Sequence, residues 1–203
     1  VSATIQTNST VKPGIVYALA SIVFGITGWI ASLALTLERI RVAENPEITL
    51  GCDVSPFISC KSVMLTEQAS LLGFPNPLIG LASFFAPILI GVAVLAGAEF
   101  KNWFWNLYLV GNIFGFVFVL WLFSQSVFVI GSLCPYCMVA WIAMIPLLWM
   151  NLGLVSAKGA LGERFTAAGA IVYEWSWVAT VATYVAISLV ILVVYWDLWP
   201  TLF

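Results

Sequence analysis

Four cysteines carry the chemistry open to this 203-residue chain: Cys52, Cys60, Cys134 and Cys137. The chain contains no histidine, which excludes His-ligated haem, His-containing zinc sites and the Ser-His-Asp or Cys-His hydrolytic arrangements. Cys134-Pro-Tyr-Cys137 has the spacing of a redox dithiol. Two cysteines three apart on a first helical turn can close a small, readily exchanged disulfide, and the helix N-terminus stabilises a thiolate there. Cys52-Asp-Val-Ser-Pro-Phe-Ile-Ser-Cys60 supplies a second, wider pair. Three other readings stay open at this point: inert buried thiols, permanent bridges that staple two segments, and a four-thiolate zinc site. The seven-residue spacing of the wider pair is not the usual tight zinc knuckle, and no metal is expected. Two dithiols on one face could pass electrons by exchange, the loop pair receiving them from a soluble donor and the helix pair releasing them. With no nicotinamide fingerprint and no flavin motif, a lipid-soluble quinone suits an apolar acceptor site beside Cys137.

The segments that hold these cysteines belong to a membrane. The chain is 63% hydrophobic and 8% charged, where soluble domains carry about a quarter charged residues. Its formal charge of −2 leaves no basic surface to neutralise a row of phosphates, so nucleic acid is excluded as a partner and membrane lipid is expected instead. A spanning helix needs about 20 residues without charge. Uncharged gaps of 25 residues (Lys12 to Glu38), 31 (Glu67 to Glu99) and 56 (Lys101 to Lys158) hold one, one and two spans, and Glu174 to Asp197 encloses another. The resulting spans are about 14–37, 76–97, 103–130, 135–154 and 175–196. The second is delayed to Asn76 by Pro75 and Pro77. The third and fourth are divided at Gly131-Ser-Leu-Cys-Pro135, with Ser132 as cap. The last is flanked by Trp175, Trp177, Trp196 and Trp199 at the depth of an interfacial belt.

The fold class is therefore an all-α integral membrane protein, a four-helix transmembrane bundle plus a fifth transmembrane helix, forming a single domain over 1–203. Residues 38–75 form the one long loop. No soluble domain is expected on either side of the bundle, and Val1 in place of a methionine points to trimming upstream. Two spans separate the cysteine pairs, so all four sulfurs face the same side. Lys12, Lys101, Lys158 and Arg164 on the opposite side outnumber Arg39, Arg41 and Lys61, which puts the cysteines on the extracytoplasmic side of a multi-pass cell-membrane protein. Disulfide chemistry persists on that side.

The loop CDVSPFISC, the Ser-Val-Met that follows Lys61, SLLGFPNPLIG before the second span and SLCPYCMVAW before the fourth together resemble the vitamin K epoxide reductase family, in particular its actinobacterial, disulfide-generating members. The resemblance runs over roughly residues 14–155 and leaves the fifth span outside. It implies a thiol:quinone oxidoreductase. In that relay Cys52 and Cys60 would be the loop shuttle, Cys60 would form the mixed disulfide with Cys134, and Cys137 would stand next to the quinone. Asn76 would hydrogen-bond a carbonyl oxygen of a non-covalently bound quinone, menaquinone or a relative, and Val63, Met64, Leu122 and Trp141 would line its pocket. Trp141 stands where animal members carry tyrosine, so an indole N–H replaces a hydroxyl. No thioredoxin-like domain is fused, so the dithiol partner would be a separate thioredoxin-fold protein. The alternatives are a non-catalytic bundle whose four cysteines form structural bridges or a metal site, and the same enzyme with quinone or epoxide reduction as its product.

Other features have plainer readings. Gly111-Asn-Ile-Phe-Gly115 is a helix packing motif. Pro87 and Pro146 lie inside spans and are expected to kink them. Glu38, Arg39, Arg41, Glu44 and Glu47 make a solvated loop face, and Asp53 acts weakly on the Cys52 thiol.

Overall fold

The computed structural model describes residues 13–55 and 57–196. Five of its helices are long and apolar enough to cross a membrane. These are α1 (Ile15–Glu44), α3 (Pro77–Leu95), α4 (Asn102–Gln125), α5 (Pro135–Ala157) and α7 (Ser176–Val194), with α4 continued by a π-helical turn, Ser126–Ile130. Two short helices, α2 (Cys60–Met64) and α6 (Thr166–Glu174), lie between them. Among the described residues there is no strand, only two isolated bridges, Ser55 with Ile58 and Ile58 with Leu133. The fold is the all-α membrane bundle expected. Lys12, Asp197 and Trp199, used above to delimit spans, lie outside the described residues.

α1 runs on to Glu44, past the expected end at 37. The first charge ends the stretch that suits hydrocarbon, but Glu38, Arg39 and Arg41 are adequate helix formers, and Arg41 pairs with Glu38 at 3.0 Å one turn back. The expected solvated loop face is thereby corrected: Glu38, Arg39, Arg41 and Glu44 sit on the last turns of α1, and Arg39 donates to the carbonyl of Met64. The boundary between α4 and α5 also differs in detail. Gly131 takes a left-handed conformation (φ 69°) that ends the π turn, and Cys134 itself occupies the N-cap of α5 with Pro135 following. Ser132 caps nothing, and its hydroxyl is buried without a partner.

α5 is the axis of the bundle. It packs on α1, α4, α6 and α7, and 61% of its apolar window is buried against 6% for α7. α1 and α3 meet through glycine. A Cβ on Gly28 would lie 2.4 Å from the Phe84 ring, and one on Gly91 would lie 2.7 Å from the Ala18 carbonyl oxygen. These small residues give the close approach that membrane helices use in place of a hydrophobic driving force. The Gly111/Gly115 motif does not serve this way: nothing lies within 4 Å of a Cβ on Gly111, and one on Gly115 meets only Met144. α6 was not anticipated from the sequence. It packs on the end of α5, where a Cβ on Gly169 would lie 2.3 Å from the Ala157 nitrogen.

Candidate active site

The loop between α1 and α2 is built around Asp53. Its Oδ1 accepts from the Ser59 hydroxyl at 2.8 Å and the Lys61 N–H at 3.1 Å, and its Oδ2 accepts from the Leu50 N–H at 3.1 Å. Ser59 in turn caps α2 by accepting from the Ser62 N–H at 3.1 Å. The two ends of the CDVSPFISC segment are thus drawn together, and Cys52 and Cys60 are joined by a disulfide (S–S 2.02 Å). Asp53, read from the sequence as a weak modifier of a thiol, is the fastener of the loop. Burial acts to raise its pKa, but the N–H groups of Lys61, Leu50 and Cys60 and the Ser59 hydroxyl outweigh it and hold the carboxyl below its ordinary value.

A pH dependence follows from that direction. With the folded pKa depressed, the carboxylate's contribution is present above the unfolded value of about 3.9 and is lost as pH falls through the lower folded value. The loop is expected to become protease-sensitive on acidification of wild type. Asp53→Asn, which keeps the shape without the charge, should show a flatter profile at lower overall protection. Identical profiles in limited proteolysis would contradict this role.

Backbone pairing fixes the loop against the start of α5. The Leu133 N–H donates to the Phe57 carbonyl at 2.8 Å, and the Ser59 N–H donates to the Leu133 carbonyl at 3.0 Å. Cys60 and Cys134, which follow Ser59 and Leu133 in the chain, are brought together. Cys134 Sγ lies 3.4 Å from Cys60 Sγ, the separation of reacting atoms in a near-attack arrangement. Both are almost completely buried, at 0% and 1% exposure, while Cys52 keeps 7%. Cys134 and Cys137 are free thiols. A hydrogen bond from the Cys137 thiol lowers the pKa of Cys134; burial opposes this, and the N–H groups of Cys137 and Tyr136 add to the lowering. Cys134 is therefore favoured as the thiolate of its pair and as a leaving group in exchange.

Behind these sulfurs lies a cavity of about 300 Å³. Cys60, Cys134 and Cys137 stand on its wall, and so do Val63, Met64, Asn76, Leu122 and Trp141. Of the nine residues singled out in the sequence, only Cys52 lies off the cavity. Trp141 is held edge-on to Phe123, with centroids 5.2 Å apart. The Asn76 side chain is anchored at both ends: Nδ2 donates to the Gln68 carbonyl at 2.7 Å and Oδ1 accepts from the Leu71 N–H at 3.1 Å. One of its two amide hydrogens is left for another acceptor. Tyr108 and Asn112, which the sequence did not single out, also line the cavity, as do Arg39 and Gly111, to which the sequence assigned a solvated face and a helix packing site. Gly111 thus leaves open space where a packed helix was expected. Among the described residues, no group of three or more His, Cys, Asp or Glu side chains is arranged to hold a metal ion.

The model of the vitamin K epoxide reductase family matches residues 19–152, about two thirds of the chain. The chain belongs to that family. No curated protein matches it. As a vitamin K epoxide reductase family member with five apolar helices it is a multi-pass membrane thiol–disulfide oxidoreductase. The family match takes in both cysteine pairs and the helices around the cavity, and it stops before α6 and α7.

Proposed function

We propose that the protein is a quinone-dependent thiol oxidase that generates disulfides for a separate, extracytoplasmic thioredoxin-fold partner. The observation that carries this reading is the continuous line of sulfur from the loop disulfide through Cys60 and Cys134, 3.4 Å apart, to Cys137 on the wall of an apolar cavity. The largely apolar wall fits a flat apolar ring, with Asn76 among the polar groups that could anchor it. The cavity's volume is at the lower end of small-molecule sites, its walls include Val63, Met64, Leu122 and Trp141, and Asn76 offers a donor. A quinone there accepts two electrons and two protons. Overall, a partner dithiol and a quinone become a partner disulfide and a quinol.

The steps on this chain's residues balance at each stage. A partner thiolate attacks Cys52, the more exposed sulfur, and the Cys52–Cys60 bond breaks. The partner's second thiol releases Cys52, leaving both loop cysteines reduced. Cys60 then attacks a Cys134–Cys137 disulfide at Cys134, and Cys137 leaves. Cys52 attacks Cys60, re-forming the loop disulfide and expelling Cys134, whose lowered pKa favours its departure. The pair left behind, Cys134 and Cys137 reduced with the loop oxidised, is the state of the four sulfurs in this structure. The packing of these sulfurs among Leu35, Val42, Leu50 and Met64 keeps water from the exchange.

The test is quinone reduction by purified protein supplied with a reduced thioredoxin-fold protein. Turnover with stoichiometric quinol and partner disulfide is expected; loop reduction without quinol formation would overturn the reading. Sidedness has its own measurement. After reduction of intact cells, an impermeant thiol reagent applied outside should modify Cys52 and, in partly unfolded or loop-opened protein, the other three. Labelling of any of the four only from the cytoplasmic face would reverse the assigned orientation.

A further inference from the structure

Pro146 removes one backbone hydrogen bond from the helix that carries the redox dithiol, and the fifth span supplies another in its place. A proline has no N–H, so the carbonyl four residues earlier, that of Ile142, lacks its partner within α5. In a membrane no water is at hand to satisfy it. The hydroxyl of Tyr184 on α7 donates to the Ile142 carbonyl at 2.6 Å. On the other side of Pro146, the indole N–H of Trp149 donates to the hydroxyl of Thr183, the residue beside Tyr184, at 3.0 Å. Consecutive residues of α7 therefore hold α5 both before and after Pro146. Farther along, Tyr195 packs with Phe123, Val127, Leu133 and Trp141, which links α7 to the segment leading into Cys134.

We propose that α7 is a brace for the redox helix and that Tyr184 is a positioning residue. By satisfying the Ile142 carbonyl it fixes the course of α5 at the turn that holds Trp141 and, one turn earlier, Cys137, and so sets both against the cavity. This gives a function to a span outside the family match, and it rests on the thiol:quinone reading for its kinetic consequence only.

The experiment is a double-mutant cycle on Tyr184→Phe and Pro146→Ala. Tyr184→Phe removes one oxygen and keeps the ring. Pro146→Ala restores an N–H that the Ile142 carbonyl can use, which makes the brace redundant. Two quantities are read: the KM and kcat for a short-chain soluble quinone, and the rate at which a membrane-permeant maleimide alkylates Cys137 in reduced protein. In the wild-type background Tyr184→Phe is expected to raise KM at least about threefold, with a smaller change in kcat, and to change the alkylation rate by a similar factor. In the Pro146→Ala background it should change neither. A Tyr184→Phe effect of equal size in both backgrounds, or none in either, would overturn the proposal. The alkylation rate needs no quinone, so it decides the brace even if the protein reduces no quinone and the functional reading fails.

Discussion

Cys137→Ala is expected to abolish quinone reduction and to convert the loop disulfide into a different one. With Cys137 gone, Cys134 has no neighbouring sulfur to close on and still faces Cys60 at 3.4 Å. Its thiolate attacks Cys60, a Cys60–Cys134 bond forms, the Cys52–Cys60 bond breaks and Cys52 leaves as the thiolate. No net oxidation is involved, so the species needs no added oxidant. Only Cys52 can reverse it, and alkylating Cys52 locks it. Peptide mapping after rapid alkylation should recover a Cys60–Cys134 cross-link together with a modified Cys52. The inverse variant, Cys52→Ala, should lose turnover with a protein dithiol yet retain part of it with a small one, because a small reductant reaches Cys134 without the loop. Quinone turnover by Cys137→Ala, or equal losses with both donors in Cys52→Ala, would refute the ordered relay.

What could be read in the sequence depended on how local the physical constraint is. Membrane spans are legible because hydrocarbon excludes charge along a fixed length of helix, and this holds whatever the neighbours are. The same rule does not give the end of α1, because it marks where hydrocarbon stops and not where hydrogen bonding does. The cysteine pairs were legible by spacing, and two spans between them were enough to put all four sulfurs at one end. Residues whose role depends on the far side of the chain were not. Asp53 was read against its neighbour Cys52, whereas its partners Ser59 and Lys61 lie across a closed loop. Arg39 was assigned to solvent by its charge, and it reaches Met64 instead. Pro146 signals an orphaned carbonyl in the sequence, but nothing local identifies Tyr184, 38 positions later by residue number, as its partner. Gly111 illustrates the converse: a spacing that suits helix packing was met by an open cavity wall, since glycine removes a side chain equally well for either purpose.

Asn76→Ala is expected to slow quinone reduction by about tenfold or more while leaving exchange between the two cysteine pairs intact. Two contributions must be separated, because the structure gives Asn76, on the wall of the cavity, two local hydrogen bonds, to Gln68 and from Leu71. Losing them costs about 1 kcal/mol each in stability, which a fall in unfolding temperature would report. The remaining amide hydrogen is the one available to a quinone oxygen. That oxygen gains negative charge as the ring is reduced, so the bond strengthens in the transition state and its loss appears in kcat. Removing a donor of this kind costs about 2.7 to 4 kcal/mol, a factor of roughly 10² to 10³, and tenfold allows for partial replacement by water or by the Trp141 N–H. Asn76→Asp is the sharper comparison. It keeps the oxygen that accepts from Leu71, removes both amide donors and, when ionised, sets a negative charge against a developing one. It should therefore be slower than Asn76→Ala in quinone reduction even where it is the more stable of the two. If quinone turnover instead followed stability across the two variants, Asn76 would be a loop fastener and the donor to the quinone would have to be sought elsewhere on the cavity wall, with Trp141 the first residue to replace.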